Sequence, residues 1–431
     1  MNATTAAGRQ RLPGTLVIVL ALLGLSVFIN YIDRGNLSIA APMLKDELGI
    51  SASRLGLLLS AFFWTYACFQ LISGWLVDHL DVSWVMAAGF FVWSSATAVT
   101  GLAHGFLALF LLRLVLGMGE SVAYPSYSKI LARYFPESHR GIANAVIASG
   151  LALGPGIGMF MGGMLMARYG WRAFFIGLGL ASLVWLAPWI KWMPRRPVAQ
   201  AGSSAESPHI LKILRQRSMW GTSAGLFCGN YLNYFFITWL PFYLVRERHL
   251  SLQAMAKIGG MAYLLTALSA TSSGWLSDRW IAAGGSPTRV RKTFTSLGMV
   301  AGSIFLVICV SAGPAVSVVT LMLVGISFGM CASNLWAITQ TLAGPHAAGR
   351  WTGVQNFIGN LSGIVAPAVT GLVLDRTGKF FWAFVITAAV AVLGAMSWIF
   401  LVGPVEQVDW TSPCEVPRAD TAAEIASAAA K

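Results

Sequence analysis

The chain has 431 residues, of which 56% are apolar and only 10% are charged. About a quarter of the residues in a soluble domain are charged, so this composition excludes an ordinary soluble enzyme and favours a polytopic membrane protein. The net charge of +13 does not indicate a nucleic-acid-binding protein, because the basic residues lie between apolar runs and are not concentrated in one basic, aromatic-rich stretch.

Twelve apolar runs, each bounded by Gly, Pro or charged residues, predict twelve transmembrane helices. The first run follows two arginines, as a signal peptide would, but it continues through Asn30 to Arg34 without a convincing cleavage site, so we interpret it as a helix. In chain order, the predicted helices cover residues 15–41, 52–77, 83–102, 106–131, 140–167, 172–193, 217–245, 253–277, 291–312, 315–341, 351–374 and 380–402.

A polar segment that begins with Pro-Arg-Arg-Pro at 194–197 separates the sixth predicted helix from the seventh. An internal repeat supports the same division, since SGWLVDHL at 73–80 recurs as SGWLSDRW at 273–280. We therefore predict an all-α polytopic membrane protein with twelve transmembrane helices in two six-helix bundles, related by a pseudo-two-fold axis along the membrane normal. The predicted parts are a cytoplasmic N-terminal tail (1–14), the N-terminal bundle (15–193), a cytoplasmic linker (194–216), the C-terminal bundle (217–403) and a disordered cytoplasmic tail (404–431).

The distribution of basic residues predicts the orientation in the membrane. An even number of helices places both termini on the same side. The tails and loops predicted for that side contain about 18 Lys and Arg, and those of the opposite side contain about 9. By the positive-inside rule, both termini of this multi-pass protein are predicted to be cytoplasmic.

Four ionisable side chains are predicted to lie inside the membrane. They are Asp33 and Arg34 in the first helix, and Arg113 and Glu120 in the fourth. A charged side chain costs about 2.5 kcal/mol or more at the membrane centre and is retained only with a partner or a water-filled cavity. These four residues therefore indicate a functional site, and all of them belong to the first half of the chain.

The two charges of the fourth helix share one face with Gly117 and Tyr124. At about 100° per residue, Arg113, Gly117, Glu120 and Tyr124 lie within about 60° of one another. Arg113 and Glu120 are about 10.5 Å apart along the axis, too far for a direct bond, so we expect the two first-helix charges to complement them. The structural alternative is an ion-pair network that only holds the first helix to the fourth.

Uncharged polar and aromatic side chains of other helices are candidates for lining a substrate cavity. At the repeat distance of 200 residues, Asn233 and Tyr234 take the positions of Asp33 and Arg34, so the second half supplies polar but uncharged groups. Each candidate also has a structural interpretation as an interhelical hydrogen bond. The candidates are Tyr66, Gln70, Tyr231, Asn233, Asn334, Trp336, Gln355, Asn356 and Asn360.

The two copies of the repeated loop are predicted to stabilise one conformation. The Gly of each copy allows close helix approach, and the Asp can accept hydrogen bonds from a helix N-terminus or pair with Arg. The residues concerned are Gly74 and Asp78 in the first copy, and Gly274, Asp278 and Arg279 in the second.

No metal site, cofactor or enzymatic activity is predicted. The five cysteines have no Cys-x-x-Cys spacing and the six histidines lie singly, so neither a zinc site nor a disulfide framework is indicated. A polytopic membrane enzyme would need a nucleophile, a metal cluster or a cofactor motif, and the sequence contains none that we recognise.

Several of these motifs together resemble those of a known protein family. NYIDRGNLSIAAP (30–42), RLVLGMGE (113–120) and FPESHRG (135–141), together with the paired loops, resemble the major facilitator superfamily and specifically its anion:cation symporter branch. That branch includes bacterial carriers of galactonate, hexuronate and glucarate, and it is similar to the vesicular glutamate and sialic acid transporters. The resemblance covers residues 15–403 or thereabouts. The loop motif identifies only the superfamily, whereas Tyr-x-Asp-Arg with Arg and Glu seven residues apart is much more specific.

The resemblance implies roles for the intramembrane residues. Asp33 and Glu120 match proton-carrying carboxylates, while Arg34 and Arg113 match residues that bind or gate the substrate carboxylate. The predicted substrate-binding residues are therefore the two arginines and the lining candidates above. Two further members are Tyr31, from the Tyr-x-Asp-Arg motif, and Tyr124, from the fourth-helix face.

The chain departs from the family pattern in two places. His79 stands where the first loop usually has Arg or Lys, which weakens the expected stabilisation of one conformation there. In the fifth helix, Gly141, Gly150, Gly154-Pro155 and Gly158 resemble the glycine-proline motif of drug:proton antiporters, although they also suit close packing of a bent helix.

The predicted function is proton-coupled symport that imports a small organic anion, a sugar acid of the hexonate or hexuronate class, by alternating access. The alternative is a proton-coupled antiporter that exports drugs or metabolites, which the fifth-helix glycines favour. Two arginines in the cavity argue against a cationic drug. The expected partners are the organic anion, protons and the lipid bilayer, without nucleic acid, and the expected oligomeric state is a monomer.

Overall fold

The computed structural model describes residues 12–135, 137–194 and 209–410. Within these ranges the regular structure is entirely helical. Most of the predicted N-terminal tail, the middle of the predicted linker and most of the predicted C-terminal tail lie outside the described residues.

Thirteen α-helices and one π-helical turn make up the described part of the chain. The helices are α1 (Gly14–Leu48), α2 (Ala52–His79), α3 (Val82–Thr100), α4 (Phe106–Ser121), α5 (Ala123–Tyr134), α6 (Glu137–Leu183), α7 (Leu186–Trp192), α8 (Ile210–Leu214), α9 (Arg217–Arg246), α10 (Leu252–Ala282), α11 (Pro287–Ser311), α12 (Pro314–Thr377) and α13 (Phe381–Met396), followed by the π-turn Ser397–Leu401.

Two of these helices contain a sharp break and account for two membrane crossings each. Gly170 in α6 has a φ of 81°, and Gly344 in α12 has a φ of 63°, a conformation that glycine adopts without strain. The short α5 continues α4, and α7 continues α6. The helices therefore form twelve crossings, and the predicted fold class of two six-helix bundles is confirmed.

Length and hydropathy alone identify nine candidate membrane spans among the described residues. One of them, 146–192, runs across the break in α6 and so contains two crossings. The helices α9 and α10 are not among the nine, because their Ser, Thr and Tyr residues, and the Asn residues of α9, lower the mean hydropathy. The large apolar side chains on the outer surface, such as Leu107 and Trp84, are exposed, as lipid-facing residues are in a membrane protein.

Within the first bundle, α6 packs closely on α1 through the glycines of the fifth crossing. A Cβ at Gly150 would lie 2.8 Å from the carbonyl oxygen of Gly24, and one at Gly154 would lie 2.6 Å from the Cβ of Tyr31. At Gly158 the nearest atom would be Cγ1 of Ile32, at 3.1 Å. Small residues permit such backbone approach between membrane helices, so the glycines of the glycine-proline motif serve close helix packing.

The two bundles meet along three helix pairs: α2 with α12, α6 with α10, and α1 with α9. At the first pair, Gly56 and Gly371 bring the two backbones together, since a Cβ at either would collide with a carbonyl group of the other helix. At the second pair, a Cβ at Gly163 would lie 2.5 Å from the Cβ of Ala256. We call the boundary between the bundles the seam.

Polar contacts complete the seam on the membrane face away from the chain termini, which we call the opposite face. Asp375 at the end of α12 accepts hydrogen bonds from the backbone N–H groups of Ala52 and Ser53, both at 2.7 Å. Arg246 of α9 forms an ion pair with Asp46 of α1. The structure is therefore closed between the bundles at the opposite face.

Candidate functional site

Arg34 and Glu120 form a buried ion pair in the first bundle. Nε of Arg34, on α1, lies 3.0 Å from Oε2 of Glu120, at the end of α4, and both side chains are almost fully buried. The second oxygen of Glu120, Oε1, and Nη2 of Arg34 are buried without a hydrogen-bond partner. The pair joins the first crossing to the fourth and keeps unused hydrogen-bonding capacity on both sides.

Asp33 lies next to this pair but contacts a different helix. Its Oδ1 accepts a hydrogen bond from Oγ1 of Thr97, on α3, at 3.1 Å, and a longer one from Nδ2 of Asn36 at 3.5 Å. Its Oδ2 is buried without a partner. Of the two pairings expected between the first and fourth helices, the structure contains the one between Arg34 and Glu120, while Asp33 is directed toward α3.

Arg113 is a buried cation without a direct anionic partner. Its side chain is 4% exposed, and none of the described carboxylates lies within 4.0 Å of its guanidinium group. Its Nε has no hydrogen-bond acceptor. Glu120 and Asp33 act on it through longer-range Coulomb attraction, and Arg34 through repulsion. A buried cation left in this state is costly, so the position is suited to an anion that arrives from outside.

Aromatic rings surround the guanidinium group of Arg34. Its Cζ lies 4.4 Å from the ring centre of Tyr66, 4.9 Å from that of Tyr31 and 5.2 Å from that of Phe62. The hydroxyl groups of Tyr31 and Tyr124 are 3.2 Å apart. The structure thus brings the predicted residues Tyr31, Tyr66 and Tyr124 together around Arg34, within range of cation–π attraction for two of them.

The second bundle approaches the site through Tyr234 and Asn360. The ring of Tyr234, on α9, lies 4.3 Å from that of Phe63, on α2 of the first bundle. Its hydroxyl donates a hydrogen bond to Oδ1 of Asn360, and Nδ2 of Asn360 donates to the carbonyl oxygen of Asn356. Asn360 is therefore the member of the predicted α12 cluster that is linked to the site.

Other predicted lining residues lie elsewhere in the second bundle. Gln355 is fully buried; its Oε1 accepts a hydrogen bond from Thr339, and its Nε2 donates to the carbonyl oxygen of Thr222, so it joins three crossings within that bundle. Asn334 is buried and bonds through Nδ2 to Met330, while its Oδ1 has no partner.

The remaining candidates, except Tyr231, are in half-buried positions. Asn233 lines a small cavity of about 20 Å³ together with Tyr263 and Thr266, enough space for about one water molecule. Trp336 packs against the buried apolar cluster of the second bundle. Half-buried positions are also occupied by Gln70 and Asn356, and Tyr231 is buried among apolar residues.

The repeated loop motifs lie at the ends of α2 and α10. Asp278 forms an ion pair with Arg291 at 3.4 Å, and the guanidinium group of Arg279 lies over the ring of Trp275 at 5.4 Å. A Cβ at Gly274 would meet Ser333 at ordinary contact distance, whereas at Gly74 no described atom would lie within 4 Å. The side chain of Asp78 lies outside the described part of the structure.

Several residues near the buried charges were not among the predicted site residues. Helical spacing could have identified two of them, since Asn30 and Asn36 lie three residues before and after Asp33 on α1. For Tyr234, the signal in the sequence was that it takes the position of Arg34 at the repeat distance of 200 residues. Contacts from Thr97 and Phe62 had no signal in the sequence, because they depend on how α3 and α2 pack against α1.

The comparison with known proteins agrees with this architecture. The sequence profile described as Major Facilitator Superfamily matches residues 23–367. A hexuronate transporter of Bacillus subtilis (strain 168) is 29% identical over 408 residues, covering 90% of this chain and 94% of that protein. A probable sulfoacetate transporter of Cupriavidus necator is 31% identical over 418 residues, covering 93% of this chain and 96% of that protein.

A solved structure shares the fold at low sequence identity. A bacterial homologue of the human lysosomal transporter Spinster, in an inward-facing and occupied conformation, superposes with a TM-score of 0.79 at 16% identity. The match covers 91% of this chain and 97% of the other. With the family profile spanning most of the twelve crossings, this multi-pass membrane protein belongs to the Major Facilitator Superfamily.

Proposed function

We propose that the protein is a proton-coupled symporter that imports a small organic anion, a sugar acid of the hexonate or hexuronate class, by alternating access of its two bundles. The observation that carries this proposal is that both buried arginines keep hydrogen-bond donors without an acceptor. Arg113 has no carboxylate within 4.0 Å among the described residues, and Nη2 of Arg34 has no acceptor.

The chemistry of the two arginines favours a carboxylate as the substrate group. A guanidinium group stays charged at any working pH and presents two parallel donors that match the two oxygens of a carboxylate. The similarity to a hexuronate transporter and to a probable galactarate/D-glucarate transporter, both from Bacillus subtilis, supports an anionic sugar acid as the substrate class. The uncharged polar groups near Tyr234 and Asn360 suit the hydroxyl groups of such a molecule.

Proton coupling is proposed from the two buried carboxylates. Asp33 and Glu120 each keep one oxygen without a hydrogen-bond partner, so each has a position at which a proton can bind. A proton on Glu120 would remove the negative charge that holds Arg34 and would leave that arginine available to the substrate anion. The substrate and the proton would then be bound together, as symport requires.

The antiporter alternative loses its main support at the fifth crossing. The glycines that resemble the antiporter motif are in contact with α1, where a side chain at Gly154 would collide with Tyr31. Close packing therefore accounts for these glycines without a role in drug export.

We also propose the orientation and organisation predicted from the sequence. Both termini would face the cytoplasm of a bacterium, residues 194–216 would link the bundles of 15–193 and 217–403, and the protein would act as a monomer. The bias of Lys and Arg toward the terminal side supports this orientation.

The test is an uptake screen in proteoliposomes. The purified protein is reconstituted, and uptake of labelled D-glucuronate, D-galactonate and D-glucarate is measured with an inward proton gradient. Accumulation above the external concentration, abolished when a protonophore collapses the gradient, is the expected result. Absence of uptake for all three acids, in vesicles that contain correctly folded protein, would contradict the proposed substrate class.

A further inference from the structure

Phe62 lies against both arginines of the buried site. Its ring centre is 5.2 Å from Cζ of Arg34 and 5.3 Å from Cζ of Arg113. Both distances are within the roughly 6 Å over which an aromatic ring attracts a cation, and this attraction is strongest where water is excluded. Phe62 itself is completely buried on α2, so one apolar ring contacts the two cations at once.

The position of the ring is fixed by its neighbours. It is stacked on Tyr66 at 5.2 Å and 21°, and it meets Phe63 edge to face at 5.0 Å and 89°. Gly117, on α4, packs against the carbonyl oxygen of Phe62 so closely that a Cβ there would collide with it. The backbone that carries the ring is therefore packed directly on α4, the helix that carries Arg113.

The two arginines depend on this ring to different extents. Arg34 has Glu120 at 3.0 Å and the rings of two tyrosines, so Phe62 is one contact among several. For Arg113, Phe62 is the aromatic contact found in the described structure, and no described carboxylate lies within 4.0 Å. Loss of the ring should thus affect Arg113 most.

We propose that Phe62 is a positioning residue for the two arginines: its ring holds both guanidinium groups against one rigid surface and so determines where the substrate carboxylate binds. The inference rests on the proposed transport of an organic anion. Phe62 would thus contribute to the affinity for the anion although it is uncharged. It would do so by positioning the arginines and not by contact with the carboxylate.

The variant Phe62→Leu tests this role, because it removes the aromatic face and keeps an apolar side chain. We expect its KM for the best transported acid among D-glucuronate, D-galactonate and D-glucarate to rise about tenfold, with a much smaller change in maximal rate. Phe62→Tyr retains the ring and should restore a KM near that of the wild type. Phe90→Leu, which removes another fully buried ring, stacked on Trp185, is the control and should leave KM unchanged.

A second measurement does not depend on the substrate. Phenylglyoxal modifies accessible arginines, and its reaction with Arg113 is followed by peptide mass spectrometry on the full-length protein. Labelling of Arg113 should be faster in Phe62→Leu than in the wild type, in Phe62→Tyr or in Phe90→Leu. Because labelling does not require transport, it tests the inference even if Phe62→Leu reconstitutes poorly.

The outcomes separate the inference from the proposed function. Unchanged KM and unchanged labelling in Phe62→Leu would overturn the role of Phe62. An equal rise of KM in Phe90→Leu would also overturn it, because the effect would then follow from the loss of any buried ring. If the wild type takes up none of the three acids, the proposed function fails, and the labelling of Arg113 alone decides whether Phe62 positions it.

Discussion

Asp375 of the second bundle binds the first two residues of α2 in the first bundle: its Oδ1 lies 2.7 Å from the backbone nitrogen of Ala52, and its Oδ2 lies 2.7 Å from that of Ser53. The first N–H groups of a helix have no partner within the helix, and the helix dipole favours a negative charge there. Asp375 satisfies two of these donors from across the seam, so it stabilises closure of the opposite face.

We expect Asp375→Asn to weaken this closure, because the neutral amide has one acceptor oxygen and loses the charge–dipole attraction. A loss of about 1 kcal/mol would raise the open population about fivefold. The measurement is the rate at which a membrane-impermeant maleimide labels Ala52→Cys, which is buried at the seam, in a background without the native cysteines.

The control for that experiment is Glu47→Gln. Glu47 lies on the same face and pairs with Arg172 at 2.6 Å, but both residues belong to the first bundle. Its neutralisation should leave the labelling rate of Ala52→Cys unchanged. Equal acceleration in both variants would show that Asp375 does not act across the seam.

Arg34→Lys and Arg113→Lys are each expected to lose most of the transport activity, at least about tenfold in initial uptake rate. A lysine keeps the charge but replaces the two-pronged donor with a point charge, so a bidentate carboxylate site is lost. Initial rates in proteoliposomes with matched protein content provide the measurement. Wild-type rates in both variants would remove the arginines from the substrate site.

Glu120→Gln is expected to abolish accumulation driven by a proton gradient. Glutamine resembles the protonated carboxyl group and cannot release a proton, so Arg34 should remain available and exchange of pre-loaded substrate can continue. The two activities are measured in the same vesicles, first with the gradient and then with labelled substrate on one side only. Intact gradient-driven accumulation would show that Glu120 has a purely structural role.

Transport is expected to respond to the membrane potential. If both Asp33 and Glu120 carry a proton with one monovalent anion, each cycle moves a net charge of +1, worth about 2.3 kcal/mol per 100 mV. Uptake of D-glucuronate or D-galactonate at equal pH on both sides, with an inside-negative potassium diffusion potential, tests this. No response, with a working pH-driven control, would leave Asp33 as a structural partner of Thr97.

Gly154→Ala is expected to destabilise the first bundle by about 1–3 kcal/mol, since the new Cβ would lie 2.6 Å from the Cβ of Tyr31. Gly177→Ala is the matched variant, because no described atom lies within 4 Å of its Cβ position. The melting temperature of each variant in detergent measures the effect. Equal melting temperatures would show that α1 and α6 adjust without cost.

The positions of the membrane helices could be predicted because apolar runs mark them directly. The ends were less accurate, since polar residues can continue a helix beyond its apolar part. The first run was predicted to end at 41, but α1 continues through a polar segment to Leu48 and stops where Gly49 adopts a φ of 58°. Likewise, α6 and α12 remain helical on both sides of a single glycine.

The composition of the charged site could be predicted in part, and its contacts could not. Asp33, Arg34, Arg113 and Glu120 were recognised because a charge inside the membrane is rare. Which of them pair depends on the rotation and depth of α1 relative to α4, and no local pattern encodes these quantities. For the same reason, the contact between Asp33 and Thr97 of α3 had no signal in the sequence.

The location of Arg34 and Glu120 on two helices of the same bundle has a consequence for the movement between conformations. Because α1 and α4 belong to one bundle, movement of the two bundles against each other as rigid bodies would leave the position of Arg34 relative to Glu120 unchanged. Under the proposed function, the electrostatic energy of this pair would then change when water, a proton or the anion enters or leaves the site, whereas opening of the seam would break other contacts, such as those of Asp375 with Ala52 and Ser53.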